Sequence, residues 1–439
     1  MISIYTVEEA KESILRRKPL RNDTYSPVTI SRTEAIFGSG VTPPQAVEKI
    51  LTSVEEEGDK AVIKWSKRLD HYEESNFAIQ TSELKKAYDS LPIEVQTMLR
   101  ESASRIRDFH RHQPVGSWTT SEMGGELGQR ITPIKRIGVY VPGGTAPLPS
   151  SLLMSVIPAQ VAGVREIIVC TPPRPSPAIL AAAFICGIEQ IFQVGGAQAV
   201  AAMAFGTETI RSVDKIVGAG NLFVTLAKQQ LYGVVGLDGL AGPTETMVIA
   251  DSTANPKWVA ADLLAQAEHD VGASAILLTP DRELAERVQA HVHRQMELLS
   301  RAEIIATSLE TKGGIVITES IHQAAMLADD YAPEHLCLSV ANPNELMGRI
   351  KNAGGFFVGE HSYEVLGDYI AGPSHIMPTG GSARFASPLN VLDFIKVSSV
   401  IALDPETATE LNSTAMRFAE TEGLTGHAAA ARARLEEAI

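Results

Sequence analysis

The chain has 439 residues, more than one hydrophobic core ordinarily organises, so two main domains with smaller appendages are expected. A formal net charge of -14, with lysine and arginine scattered along the chain, excludes a phosphate backbone as partner, and nucleic acid is not expected. No run of about 18 apolar residues escapes charge or proline, so no membrane partner is expected either.

MISIYTVEEAKESILRR, at the amino end, alternates charge with apolar residues and lacks the core of a secretory signal. Three cysteines, Cys170, Cys186 and Cys337, show no CxxC spacing and cannot all pair internally, which fits a reducing cytoplasm. To about Thr119 the chain reads as mainly helical. TPPQAVEKILTSVEEEGDKAVIKWSKRLD opens with prolines suited to a first turn and sets Val47, Ile50, Leu51, Val54, Ala61 and Ile63 near helical spacing. A short helix from near Ser82 and a longer one from about Pro92 to His112 follow. His110 and His112 point apart on that helix and read as surface or dipole partners at its end.

From Arg130 short β-branched runs alternate with helices. RIGVYV, EIIVC, QIFQV and DKIVG read as buried strands, separated by SSLLMSVIPAQVAGV, SPAILAAAFICGI and GGAQAVAAMAFG. A second series follows: TMVIAD, a helix from Asn255 to His269, SAILLT, a long helix from Asp281 to Arg301, GGIVIT, a helix from Ser320, EHLCLSV, a helix near Asn344, and GGFFVG. Such alternation requires right-handed crossovers and mainly parallel sheets with helices on both faces, so two successive α/β units are expected. The last 50 or so residues are less regular and end in a helix, AAAARARLEEAI, suited to an arm or an intersubunit contact.

Polar residues able to bind metal recur where these units end: Gln266 and His269, Glu334 and His335, Asp368 and His375, and His427. With thiolates nearly absent from this group, oxygen and imidazole donors favour zinc or a similar borderline cation over an iron–sulfur cluster. On a helix Asp262, Gln266, His269 and Asp270 share a face opposite Trp258, Leu263 and Leu264; this is either a solvated stripe or a ligand stripe. Glu334 and His335 stand between a proline and a buried strand; they are either an acid and a base for chemistry near neutral pH or a structural glutamate and a buried, hydrogen-bonded histidine. Adjacent side chains on extended backbone point apart, so both reach one substrate atom only if a turn follows Pro333. Cys337, between Leu336 and Leu338, is read as packing rather than as a nucleophile. The segment LGDYIAGPSHIMPTGGSARFASPL is punctuated by glycine and proline, and reads as a long ordered loop carrying Asp368, His375 and Arg384. VPGGTAP, VGGAQAV and VGAGN each follow a strand, yet none completes G-x-G-x-x-G: after Gly218 and Gly220 the third position is Phe223. Helix N-termini with close glycines still suit a pyrophosphate.

IGVYVPGG, VGAGN, LAGPTE, LLAQAEHD, APEHL, GDYIAGPSHIMPTGGSARF and EGLTGH occur in the order and approximate spacing seen in histidinol dehydrogenases, and the chain resembles that family over essentially its whole length. The resemblance implies an α/β fold with two incomplete Rossmann-like domains of mainly parallel strands, a helical amino-terminal segment and an extended carboxyl-terminal arm. The expected division is an amino-terminal arm, 1–23; a helical segment, 24–128, packing with 245–385 as one domain; a nucleotide-binding domain, 129–244; and a dimerisation arm, 386–439. A cytoplasmic homodimer with shared active sites is implied, oxidising L-histidinol through histidinal to L-histidine with two NAD and about one zinc per subunit.

Carried over by position, Gln266, His269, Asp368 and His427 match the family's zinc ligands, and Glu334 and His335 its catalytic pair. Tyr140, Gln198 and Asn221 match positions that contact NAD. Thr244, His375 and Glu422 match positions that contact substrate, as do the ligands and the catalytic pair. The chain departs from the common pattern at Thr244 (serine), Ser374 (asparagine) and Ala219 (proline). The competing readings are a family member acting on another small alcohol such as sulfopropanediol, and a non-catalytic metal- or metabolite-binding protein on the same fold. Retention of all the ligand and acid–base positions weighs against the second, and Glu422 favours a cationic amino alcohol.

Overall fold

The computed structural model describes residues 2–17, 25–143 and 147–436. Parts of three expected features, the amino-terminal arm at 18–23, VPGGTAP at 144–146 and the final helix at 437–439, lie outside them. In chain order the strands are β1 (Ile4–Thr6), β2 (Ala78–Ile79), β3 (Trp118–Thr120), β4 (Glu126–Pro133), β5 (Arg136–Tyr140), β6 (Glu166–Thr171), β7 (Gln190–Gln193), β8 (Lys215–Val217), β9 (Gly236–Leu237), β10 (Glu245–Ala250), β11 (Ser274–Thr279), β12 (Gly314–Ile317), β13 (His335–Ser339), β14 (Gly355–Val358) and β15 (Ile395–Ala402).

One unit, residues 1–112 with 135–393, holds two six-stranded sheets. The first has the order β1-β12-β11-β10-β13-β14, parallel throughout; the second, β2-β7-β6-β5-β8-β9, is parallel except for the antiparallel edge strand β2. The α/β architecture with mainly parallel sheets is therefore the one the alternating pattern predicts. Residues of β5, β10 and β11 are all buried, which is why these runs show no polar alternation. Helices cover both faces of the first sheet: Pro256–Ala267, Arg282–Met296 and Ala302–Thr311 pack with Val248, Leu277 and Ile315, while Ile321–Tyr331 packs with Met247, Ile276 and Leu336 on the other side.

The helical amino-terminal segment corrects three expectations. Its apolar stripe is divided between Pro43–Glu57 and Asp59–Asp70, because Gly58 adopts φ 57°, ψ -132° between them. An added Cβ at Gly58 would also meet the Glu208 carboxylate, whose oxygen accepts from the Asp59 N–H at 2.8 Å. These helices place Val47, Ile50, Val54, Val62 and Trp65 in a cluster with Ile168, Val200 and Val224, so they serve the second sheet rather than residues 245–385. Burying each such side chain stabilises the fold by about 1.5–3 kcal/mol, which is why the stripe follows its apolar partner. His110 is buried too, with Nδ1 2.8 Å from the Ile106 carbonyl oxygen, and is not the surface residue its position at a helix end suggested. The long helix expected over 281–301 stops at Met296, and a separate helix, Ala302–Thr311, precedes β12.

The second unit comprises residues 113–134 with 394–439. Antiparallel strands in the order β15-β4-β3 form its sheet, with eight residue pairs between β4 and β15. Helices Pro405–Thr421 and Thr425–Glu436 follow. Val397, Ile401, Leu411 and Phe418 are exposed. Among the described residues no helix is long and apolar enough to cross a membrane.

Candidate active site

Strand pairing brings the first cluster together. β10 and β13 run side by side with Thr246 opposite His335, so Thr244, just before β10, and Glu334, just before β13, both reach the amino edge of the sheet. A helix that returns after a parallel strand ends at that same edge, which is where Gln266, next to last in Pro256–Ala267, and Asp368, next to last in Glu364–Tyr369, are carried. Open α/β sheets more commonly bind ligands outside the carboxyl ends of their strands.

Ala332, with φ 50° and ψ 66°, is a left-handed helix cap that turns the chain into Pro333, and Glu334 sits in the bend before β13. Consecutive side chains therefore do not diverge: His335 Nδ1 is 3.7 Å from Glu334 Oε2. Both residues are buried. Glu334 Oε2 accepts from the Thr244 hydroxyl at 2.6 Å and from the Glu245 N–H at 3.0 Å. His335 Nδ1 faces the Glu245 carbonyl oxygen at 3.1 Å, an acceptor, and so carries a proton. Its Nε2 is buried without a hydrogen-bond partner, 3.8 Å from Asp368 Oδ1.

Gln266 is fully buried. Its amide fits best in one orientation, with the oxygen 2.8 Å from the Glu245 N–H, which it shares with Glu334, and the nitrogen donating to Glu364; the Thr244 hydroxyl, 2.6 Å from this oxygen and from Glu334, gives its one proton to either but not to both. Glu364, also buried, takes a second hydrogen bond from the Thr246 hydroxyl. His375 is fixed at both ring nitrogens, by the Asp368 carbonyl oxygen at 2.8 Å and the Ser151 hydroxyl at 3.2 Å. Ser374 turns inward and donates to the Met154 carbonyl oxygen. Arg384 is engaged locally with the Gly381 carbonyl oxygen.

So many ionisable groups in a low-dielectric space shift one another. Burial raises Glu334 and Glu364 to about 7 each, with the His335 charge opposing both shifts. Burial acts to lower His335, but the carboxylates of Glu364, Glu334 and Asp368 outweigh it and bring the ring to about 10. Burial also works to raise Asp368, yet the nearby His335 ring, and then His375 and His269, hold it below its ordinary value. His269 and His375 are both pushed down by burial; for His269 this holds although its surface is well exposed, because protein surrounds it on the site's side. The result is a pocket with a surplus of carboxylate, at the negative ends of helix dipoles, an environment suited to a cation.

Amide oxygen, imidazole and carboxylate from Gln266, His269 and Asp368 form a donor set that fits a borderline dication. Among the described residues, no three of His, Cys, Asp or Glu form a metal-holding group by themselves. His427 and Glu422 belong to the second unit, both exposed, at the start of Thr425–Glu436 and the end of Pro405–Thr421. Asp262 is partly buried and raised to about 7, by burial and then Glu360, while Trp258, expected among apolar residues, is exposed against the His361 ring. The face carrying Gln266 is therefore divided: Asp262 and Gln266 turn away from solvent, while His269 and Asp270 at its end are exposed. Cys337 is buried and its thiol is raised, first by burial, as packing requires.

The second sheet presents a different surface at its carboxyl edge. Tyr140 ends β5, and its buried hydroxyl, raised to about 12 by burial, accepts from the Gly196 N–H at 3.1 Å. Gln198 is fully buried, donates through Nε2 to Asp70 at 2.9 Å and leaves Oε1 without a partner. Asn221 caps the helix Leu222–Leu231 by accepting from the Phe223 and Val224 N–H groups. Gly218 has φ +108°, and an added Cβ would come 2.1 Å from the Tyr140 carbonyl oxygen. Its N–H donates to Asp238 at 2.7 Å, while Lys228 donates to Asp238 at 2.5 Å and to the Gly218 carbonyl oxygen at 3.0 Å. Close glycines, an orphaned amide oxygen and two helix N-termini fit a phosphorylated ligand with N–H donors. Asp70, Asp238, Lys228 and Glu364 were missed in the sequence because single charged residues without a motif give no signal.

A buried acid–base pair beside a cation-favouring donor set, on a mainly parallel α/β scaffold with a second glycine-lined edge, defines an oxidoreductase-type enzyme. The sequence profile described as histidinol dehydrogenase matches residues 41–435. The chain belongs to the histidinol dehydrogenase family. It is 50% identical over 387 residues to the histidinol dehydrogenase of Thermus thermophilus, covering 88% of this chain and 93% of that one. It is 47% identical over 413 residues to that of Deinococcus radiodurans, with 93% and 94% covered. A crystal structure of histidinol dehydrogenase from Elizabethkingia anophelis superposes with a TM-score of 0.89 at 35% identity, over 99% of this chain and 98% of that one.

Proposed function

We propose that this enzyme is a zinc-dependent, NAD-linked dehydrogenase that oxidises L-histidinol to L-histidine through L-histidinal, acting in the cytoplasm as a homodimer. The observation that carries this reading is the buried Glu334–His335 pair beside Gln266, Asp368 and the unpartnered His335 Nε2. When bound, zinc supplies an orienting Lewis acid and a positive charge that counters the surrounding carboxylates. NAD supplies the hydride acceptor, and the Gly196 and Gly218 edge with Tyr140, Gln198 and Asn221 is its proposed seat. With the charge of a bound dication opposing the carboxylates that raise the ring, His335, its Nδ1–H anchored on the Glu245 carbonyl oxygen, would lose its second proton and take the alcohol proton at Nε2. Glu334, raised to about 7, accepts a proton from the water that hydrates the aldehyde, after which a second oxidation gives the acid. Thr244 keeps the hydroxyl through which the Glu334 carboxylate is aimed. Burial of the pair excludes bulk water from the reactive aldehyde.

His427 of the partner subunit is proposed as the remaining zinc ligand, with Glu422 meeting the substrate's ammonium. The exposed Ile401 and Phe418 of the second unit support a partner copy there. Following NADH formed per L-histidinol by zinc-loaded protein tests the reading. Two NADH per histidinol are expected; no turnover, or one NADH with release of aldehyde, would reject it.

A further inference from the structure

We infer that Glu364 is a positioning residue for the metal site: it holds the Gln266 amide so that the oxygen, the only atom of a neutral amide that binds a dication, stays on the ligating side. The inference rests on the proposed role of Gln266. Glu364 has no part in the proton transfers described above, yet it is buried in the centre of the cluster. It opens the short helix Glu364–Tyr369, whose next-to-last residue is Asp368, so one helix carries both a ligand and the residue that aims another.

The geometry fixes the direction of the amide without reference to any protonation state. The backbone N–H of Glu245 is always a donor, and it lies 2.8 Å from one terminal atom of the Gln266 amide; that atom is the oxygen. The nitrogen must then face Glu364, whose carboxylate oxygen receives it. Turning the amide over would set N–H against N–H at Glu245 and oxygen against oxygen at Glu364. Thr246 in turn anchors the other Glu364 oxygen from the adjacent strand β10, so the carboxylate is itself held and not free to follow a rotating amide. Partners of this kind, one bond removed from a ligand, commonly carry about 10- to 100-fold in metal affinity. Glutamine at 364 would keep the volume but present either a donor or an acceptor, leaving the Glu245 N–H, which Glu334 also shares, alone to hold the Gln266 amide.

The test measures Zn2+ affinity of the full-length protein by competition with a chromogenic chelator, for wild type, Glu364→Gln, Gln266→Ala and the double variant. About 10-fold weaker binding is expected in Glu364→Gln, with the loss disappearing in the Gln266→Ala background. Val288→Ala, a core truncation in the helix Arg282–Met296, separates mere destabilisation: its Tm should fall while Gln266 and Glu364 keep their partners and zinc affinity stays unchanged. Unchanged affinity in Glu364→Gln overturns the inference. So does an equal loss in the presence and absence of the Gln266 amide, because the carboxylate would then act through charge alone. Wild-type protein that takes up no stoichiometric zinc would instead overturn the functional reading on which this one stands.

Discussion

In the first sheet β10 and β13 begin at the acid–base pair, whereas in the second β5, β7 and β8 end at the glycine-lined edge. The amino edge gathers helix carboxyl ends and buried carboxylates, Glu334, Glu364 and Asp368, and so favours positive charge. The carboxyl edge gathers the amino ends of Gly196–Phe205 and Leu222–Leu231, with Asp238 offset by Lys228, and so tolerates negative charge better. Two sheets of the same topology thus acquire opposite ligand preferences from which end of the strands faces the ligand.

The largest expected effect falls on one edge only. His335→Asn removes the proposed base at the amino edge and should lower kcat by about 10²- to 10⁴-fold. NAD binding, followed by calorimetry, should stay within about two-fold; a large loss there would show that the two edges are not independent. Next is the need for a partner. His427→Ala and His269→Ala subunits, each inactive alone, should regain about half of one subunit's activity per subunit in mixed dimers if the sites act independently. Verified heterodimers that stay inactive would assign His427 to its own chain or to structure, while NAD binding at the carboxyl edge should never depend on mixing.

A smaller effect is expected at Gly218. Gly218→Ala places a Cβ against the Tyr140 carbonyl oxygen at a positive φ, so a loss of about 1–3 kcal/mol in stability and a raised KM for NAD should appear together. A raised KM for histidinol with an unchanged KM for NAD would misplace the coenzyme. The smallest effect concerns Asp70, which burial raises to about 6 while the Gln198 hydrogen bond opposes the shift. Because the folded state holds this proton more tightly than the unfolded one, ionised Asp70 reduces stability at neutral pH, and the penalty fades as pH falls from about 6 towards 4. Asp70→Asn should therefore raise stability by about 1 kcal/mol at pH 8 and by almost nothing at pH 4, measured by denaturant titration.

Much of this contrast was legible in the chain. Fully apolar runs such as ILL in β11 announced buried parallel strands, and APEHL marked a candidate acid–base pair, whose two side chains the structure brings within 3.7 Å. The edge on which that pair sits was not legible, since it depends on the register of Thr246 with His335 across some ninety residues of chain. Nor was Glu364, an isolated glutamate whose importance comes from an amide reached only through tertiary packing. His110 and Trp258 show the same limit in reverse: helical spacing names a face but not what lies opposite, so the histidine is buried and the tryptophan exposed.

Strand β1 finds its one sheet neighbour among the described residues in β12, and β4 of the second unit pairs on one side with β15. During synthesis at roughly 5–20 residues per second, the first of these must wait on the order of half a minute for its template to leave the ribosome. Neither edge can close cotranslationally in sequence order, and two backbone ladders stand open in the nascent chain. Production of the folded enzyme should accordingly respond to chaperone supply and to growth temperature more than its final stability alone implies.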